Sequence, residues 1–164
     1  MSTTLVIGVG NALRGDDAAG LEVARRLADR GLAAGGLPAG VELATHEGDG
    51  LGLLELWEGA AAVVLIDSVR AGNPPGTLHR IDASSHPVPL PLRGASTHAL
   101  GVAEAIELAR AMGTMPPKLI VYGVEGSRYE IGAALSPPVA AAVELAATEV
   151  YRETLALAAA GSLA

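Results

Sequence analysis

The 164-residue chain has no cysteine and no phenylalanine. Without cysteine it can form no disulfide, no thiolate metal site and no cysteine nucleophile, and a cytoplasmic location is permitted. One tryptophan, Trp57, and three tyrosines, Tyr122, Tyr129 and Tyr151, are all its aromatics. Stacking platforms for bases or sugars are therefore not expected, and the core has to be built from Ala, Leu, Val and Ile. Positive charge is scarce too. The formal net charge of −7 argues against nucleic-acid binding, which draws its affinity from basic phosphate contacts. No apolar run approaches the ~20 residues of a membrane span, and no basic-then-apolar N-terminal segment reads as a secretory signal. Three catalytic signatures are missing as well: a Gly-Lys-Ser/Thr phosphate loop, a Gly-x-Ser-x-Gly nucleophile elbow and a His-Glu-x-x-His helix.

What the chain does contain is half hydrophobic residues arranged in alternating short runs and amphipathic stretches. A single domain over 1–164 is expected, with no internal repeat and no linker. Residues 4–9 read as a central strand, 17–34 as an amphipathic helix ended by Gly31, Gly35, Gly36 and Pro38, and 41–45 as a second strand. Gly48-Asp49-Gly50 leads into a short helix over 51–57, with Asp49 a possible substrate contact. The continuous apolar run 61–66 reads as a strand buried on both faces and ending in Asp67. Only about nine residues then separate Asp67 from the strand-like 77–81. A parallel crossover needs a dozen or more, so this strand is expected to be antiparallel and at an edge. Residues 83–97 are a proline-rich loop, 98–112 a helix and 118–123 the last strand. Ser136 before Pro137 marks the N-cap of a final helix reaching about residue 158. This order implies an α/β fold: a three-layer αβα sandwich around a mostly parallel sheet of about five strands, with one antiparallel edge strand.

In such sheets, ligands bind beyond the carboxyl ends of the strands. Three segments bring polar groups there. The first strand leads through Gly8 and Gly10 to Asp16 and Asp17, the third ends in Asp67, and the last-but-one helix begins at His98. Each has a structural reading as well: a cap, a strand end, a first-turn residue. Together, two carboxylates and an imidazole make an open metal site. Asp16 reads as the helix-start residue and Asp17 as the ligand, while the two glycines would bring a strand end close to a visiting peptide. His46, His79 and His86 read as structural or exposed. A dinucleotide site is the main rival, with Gly8-Val9-Gly10 as part of the fingerprint and Glu47 as the ribose acid. It fails at Leu13, where the third glycine belongs, and at the acid pair, which would repel a pyrophosphate.

The segments GVGNALRGDDAAG (8–20), VVLIDSV (63–69), PPGTL (74–78), STHALG (96–101), KLIVYGVE (118–125) and GAALSPPV (132–139), taken together and in this order, resemble the nickel-iron hydrogenase maturation endopeptidases. The resemblance implies an enzyme that removes the C-terminal extension of the hydrogenase large-subunit precursor once nickel has been inserted. It carries the nickel-reading groups onto Asp17, Asp67 and His98, the same three residues being the catalytic candidates. The nickel would arrive with the precursor, whose cysteine thiolates hold it, and the free enzyme would need no resident metal. Many relatives have Glu where this chain has Asp17, which shortens the reach by about 1.5 Å. A metal-sensing scaffold that docks the precursor without cutting it is the alternative, and a nucleotide-binding enzyme a more remote one.

Overall fold

The computed structural model describes residues 2–92 and 100–163. In chain order its elements are β1 (Thr4–Val9), a 3-10 turn (Gly15–Ala18), α1 (Ala19–Ala33), β2 (Val41–His46), α2 (Gly50–Leu56), β3 (Ala62–Val69), β4 (Leu78–Asp82), a second 3-10 turn (Leu90–Leu92), α3 (Val102–Met112), β5 (Lys118–Glu125) and α4 (Pro137–Ser162). The strands form one sheet in the order β2-β1-β3-β5-β4. All neighbours are parallel except β4, which runs antiparallel to β5 at the edge, as the short connection before it requires.

Strand periodicity sends successive side chains to opposite faces. On one face Val6, Val64, Ile66, Ile120 and Val124 pack against Val23 and Leu27 of α1 and Val139, Val143 and Val150 of α4. On the other, Leu5, Ile7, Val63, Leu65 and Val121 pack against Leu53 of α2, Trp57, and Ile106 and Ala109 of α3. This is the expected three-layer sandwich. The central strands β1 and β3 are buried on both faces, which is why their sequences are continuous apolar runs rather than alternating ones. The edge strand β4 is tied down by polar groups instead. Arg80 donates to both carboxylate oxygens of Glu153 on α4, at 2.8 and 3.0 Å, and the Tyr122 hydroxyl donates to the same carboxylate at 2.9 Å.

Several boundaries differ from the sequence reading. Strand β3 does not stop before Asp67. It runs on to Val69, because β5 also extends to Glu125 and the two stay paired, Asp67 opposite Gly123 and Val69 opposite Glu125. The helix expected from residue 98 begins at Val102, where the Glu104 side chain accepts from the Gly101 N–H at 3.2 Å and so fixes the start. The acid pair lies in a 3-10 turn that precedes α1, not in the α-helix itself. The final helix starts at Pro137 as expected and continues to Ser162.

Candidate functional site

The sheet order makes a switch point. From β1 the chain crosses to β2 on one side, and β3 then takes the place on the other side of β1. At such a point the connections leave in opposite directions and open a crevice at the carboxyl ends of the two strands. The segment after β1 and the end of β3 supply its walls.

Asn11 shapes the first wall. Its side-chain oxygen accepts from the Leu13 N–H at 2.9 Å, turning the chain back toward the strand end. The following 3-10 turn lies directly on the sheet. A Cβ on Gly10, whose φ is +154°, would collide with the carbonyl oxygen of Asp17, and one on Gly8 with the carbonyl oxygen of Gly20. Gly20 in turn sits against the carbonyl oxygens of Val9 and Ile66. The positions a Cβ would take on Gly8 and Gly10 are therefore filled by the protein's own turn and helix, while Gly10 also lines an open cleft with Asn11, Leu13 and His46.

The two acids divide their roles. Asp16 is fully buried. One carboxylate oxygen accepts from the backbone N–H of Ser127 at 2.8 Å, from that of Arg128 at 2.9 Å and from the Ser136 hydroxyl at 2.9 Å. The other accepts from the Ser136 N–H at 2.7 Å. Burial alone would raise its pKa, but these donors outweigh burial and hold the carboxyl below the usual carboxylate range. Asp16 thus caps nothing in its own turn. It pins the loop after β5 and the start of α4, and Ser136 spends its hydroxyl on Asp16 instead of on its own helix.

Asp17 is half-buried, and its charge reaches Asp67. Burial first, and then the negative charge of Asp17, push the Asp67 carboxyl up to about 8, against a hydrogen bond from the Ser68 N–H that lowers it. An acid from the turn after β1 and one from β3 are thus brought close enough for the charge of one to act on the other. His98, the third expected member, lies outside the described residues. Among the described residues no group of three His, Cys, Asp or Glu side chains gathers in a metal-binding arrangement.

Other candidates have local work. Asp49 accepts from the Gly52 N–H at 3.2 Å and is the N-cap of α2, not a free substrate contact. His46 accepts from the Gly48 N–H through Nδ1 at 2.9 Å. His79 lies 3.2 Å from the buried carboxylate of Glu125. The sequence reading missed Glu125. It ends a buried strand as an acid, just as Asp67 follows one, and that signal was visible. Its carboxylate accepts from the N–H groups of Ala71 and Asn73 at 2.7 and 3.0 Å and fixes the loop between β3 and β4.

Known proteins place this geometry. A family model described as hydrogenase maturation protease (HycI) matches residues 45–153. The chain belongs to the hydrogenase maturation protease family. Hydrogenase expression/formation protein HupD of Rhodobacter capsulatus is 33% identical over 150 residues, covering 91% of this chain and 70% of that protein. Hydrogenase 2 maturation protease of Escherichia coli K12 is 32% identical over 147 residues, covering 89% and 87%. The solution structure of an endopeptidase from Escherichia coli superposes with a TM-score of 0.75 at 30% identity, covering 90% and 89% of the two chains.

Membership of the hydrogenase maturation protease family supports a peptidase, and the fold has its counterpart in that solved endopeptidase. Among the described residues no helix is long and apolar enough to cross a membrane, α4 included.

Proposed function

We propose that this protein is a cytoplasmic endopeptidase that removes the C-terminal extension of a nickel-iron hydrogenase large-subunit precursor after nickel insertion. In this reading it recognises the precursor's nickel through Asp17, Asp67 and His98. The observation that carries the reading is the pair of acids at the switch point, Asp17 from the segment after β1 and Asp67 from β3, close enough that the charge of Asp17 opposes ionisation of Asp67. A divalent cation relieves that opposition, and oxygen and imidazole donors in an open arrangement suit one that arrives already held by other ligands. Nickel is here part of the substrate. The precursor docks productively only when it carries the metal, so cleavage waits for insertion. The chain has no cysteine and no nucleophile elbow, so the attacking group is water, with a carboxylate of the pair as its general base.

The test is to mix the purified protein with nickel-loaded precursor and to follow the precursor's mass. Loss of a C-terminal fragment, dependent on nickel, is the expected result. Retained binding without mass loss would leave only a docking scaffold. Asp17→Asn separates two roles. If Asp17 only reads the metal, metal-dependent binding and cleavage disappear together. If it is the base, binding survives and cleavage alone is lost.

A further inference from the structure

Six of the described cations are neutralised by neighbouring carboxylates. Arg25, Arg26, Arg80, Arg110, Lys118 and Arg152 each pair with a carboxylate, and Arg30 donates to the Thr148 hydroxyl. Besides Arg30, three arginines have no carboxylate partner among the described residues: Arg14, Arg70 and Arg128, which follow the central strands β1, β3 and β5 in the chain.

Arg70 is the one with a built setting. It lines an open cleft of about 770 Å³ between the loop after β3 and the loop after β5, together with Asn73, Pro75, Ser127, Tyr129 and Glu130. Its guanidinium carbon lies 3.6 Å from the centroid of the Tyr129 ring. That ring is itself fixed. Its hydroxyl is 2.7 Å from Ser68 Oγ and donates to the Val69 carbonyl at 3.4 Å, and its own carbonyl accepts from Arg14 Nε at 3.5 Å. The loop leaving Arg70 is held by the buried carboxylate of Glu125 through the N–H groups of Ala71 and Asn73. Tyr129 engages Arg70 through its ring face and its hydroxyl, and the guanidinium's remaining in-plane donors match a carboxylate.

We infer that the cleft is a subsite for a carboxylate of the substrate peptide, received by Arg70. This rests on the endopeptidase reading above and specifies its substrate further. Arg70 follows Asp67 by three positions and stands just past the end of β3 at Val69, so the cleft lies at the carboxyl end of the strand that carries Asp67. The source of the carboxylate is either an aspartate or glutamate side chain or the α-carboxylate at the peptide's end. Glu130 on the opposite lip opposes the binding of an anion and sharpens its placement on Arg70.

The experiment is an NMR titration of the ¹⁵N-labelled full chain with three short acetylated peptides. One is amidated with a central aspartate, one has alanine there and a free C-terminal carboxylate, and one is amidated and uncharged. The amides of Gly126 and Tyr129 report. At least one charged peptide is expected to bind about tenfold more tightly than the neutral one, and the tighter of the two identifies the source of the carboxylate. Arg70→Gln should bring it down to the neutral level, Arg70→Lys should keep part of the preference, and Glu130→Gln should strengthen binding about twofold. An unchanged amide spectrum elsewhere shows that the variants are folded. With nickel-loaded precursor, Arg70→Gln should raise KM and leave kcat nearly unchanged. Equal binding of all three peptides, or a preference that survives Arg70→Gln, overturns the inference. The two readings fail separately. Asp67→Asn leaves the peptide titration intact, and a wild-type protein that binds the charged peptide but never cuts the precursor sinks the endopeptidase reading alone.

Discussion

Asp16 and Asp67 make opposite contributions to stability, and pH separates them. The Asp16 carboxylate is surrounded by three backbone N–H groups and a hydroxyl. Its folded-state pKa is lowered, so the stabilisation it provides is present above the unfolded value near 4 and is lost as pH falls below it. Asp16→Ala leaves buried donors unsatisfied and is expected to cost about 3 kcal/mol at pH 7, read from urea unfolding with the buried Trp57 as reporter. Asp67 has the reverse sign. Its folded-state pKa is raised to about 8, so the free protein is unpenalised below pH 4, loses stability as pH climbs, and levels off above 8. Asp67→Asn should therefore be more stable than wild type by an amount on the order of 2–5 kcal/mol at pH 8.5, the gap closing by pH 4. A constant gap across that range would refute the assignment. The sequence separated Asp16 as structural from Asp17, but did not show the contacts that make Asp16 so. The partners that make Asp16 structural are 111 to 120 positions away, and no local pattern encodes them.

The elements were far more legible, because burial on both faces leaves a continuous apolar run and a short connection forbids a parallel crossover. That is how β1, β3 and the antiparallel β4 could be read. Their ends were not, because ends are set by partners. Strand β3 carries Asp67 within it because β5 offers pairing as far as Glu125. The start of α3 waits for the Glu104 contact to Gly101. The glycines of the first segment were noticed, but not the internal contacts that require them. They allow α1 and the turn before it to lie on the sheet, and this sets where Asp17 emerges. Gly20→Ala puts a methyl group against the carbonyl oxygens of Val9 and Ile66, neither of which can move without disturbing the sheet. It should cost about 3 kcal/mol and shift the amide resonances of Ile66 and Asp67, whereas Gly35→Ala, in open space at the far end of α1, should leave those resonances in place.

For the molecule taken together, the proposed reading gives stability and recognition to different residues around one crevice. Asp16, Glu125 and the close-packed glycines fix the walls, while the charge of Asp17 helps hold the proton on Asp67 between them. In that reading a cation that enters there stabilises the fold by taking the proton's place. The succession of strands and helices and the antiparallel edge strand were readable in the sequence, but neither the strand order that creates the switch point nor the closeness of the two acids was, since both depend on tertiary packing. Binding to the native state stabilises it by RT ln(1 + [L]/Kd), about 1.4 kcal/mol at a tenfold excess over Kd. Nickel(II) added to the free protein at pH 8.5 should therefore raise the thermal midpoint. At pH 6, where Asp67 retains its proton, the cation must displace that proton first and the rise should shrink. Asp67→Asn should show no rise at either pH while starting from a higher midpoint. A rise that persists in this variant would mean that the cation binds elsewhere, and that the closeness of Asp17 and Asp67 serves some purpose other than reading a metal.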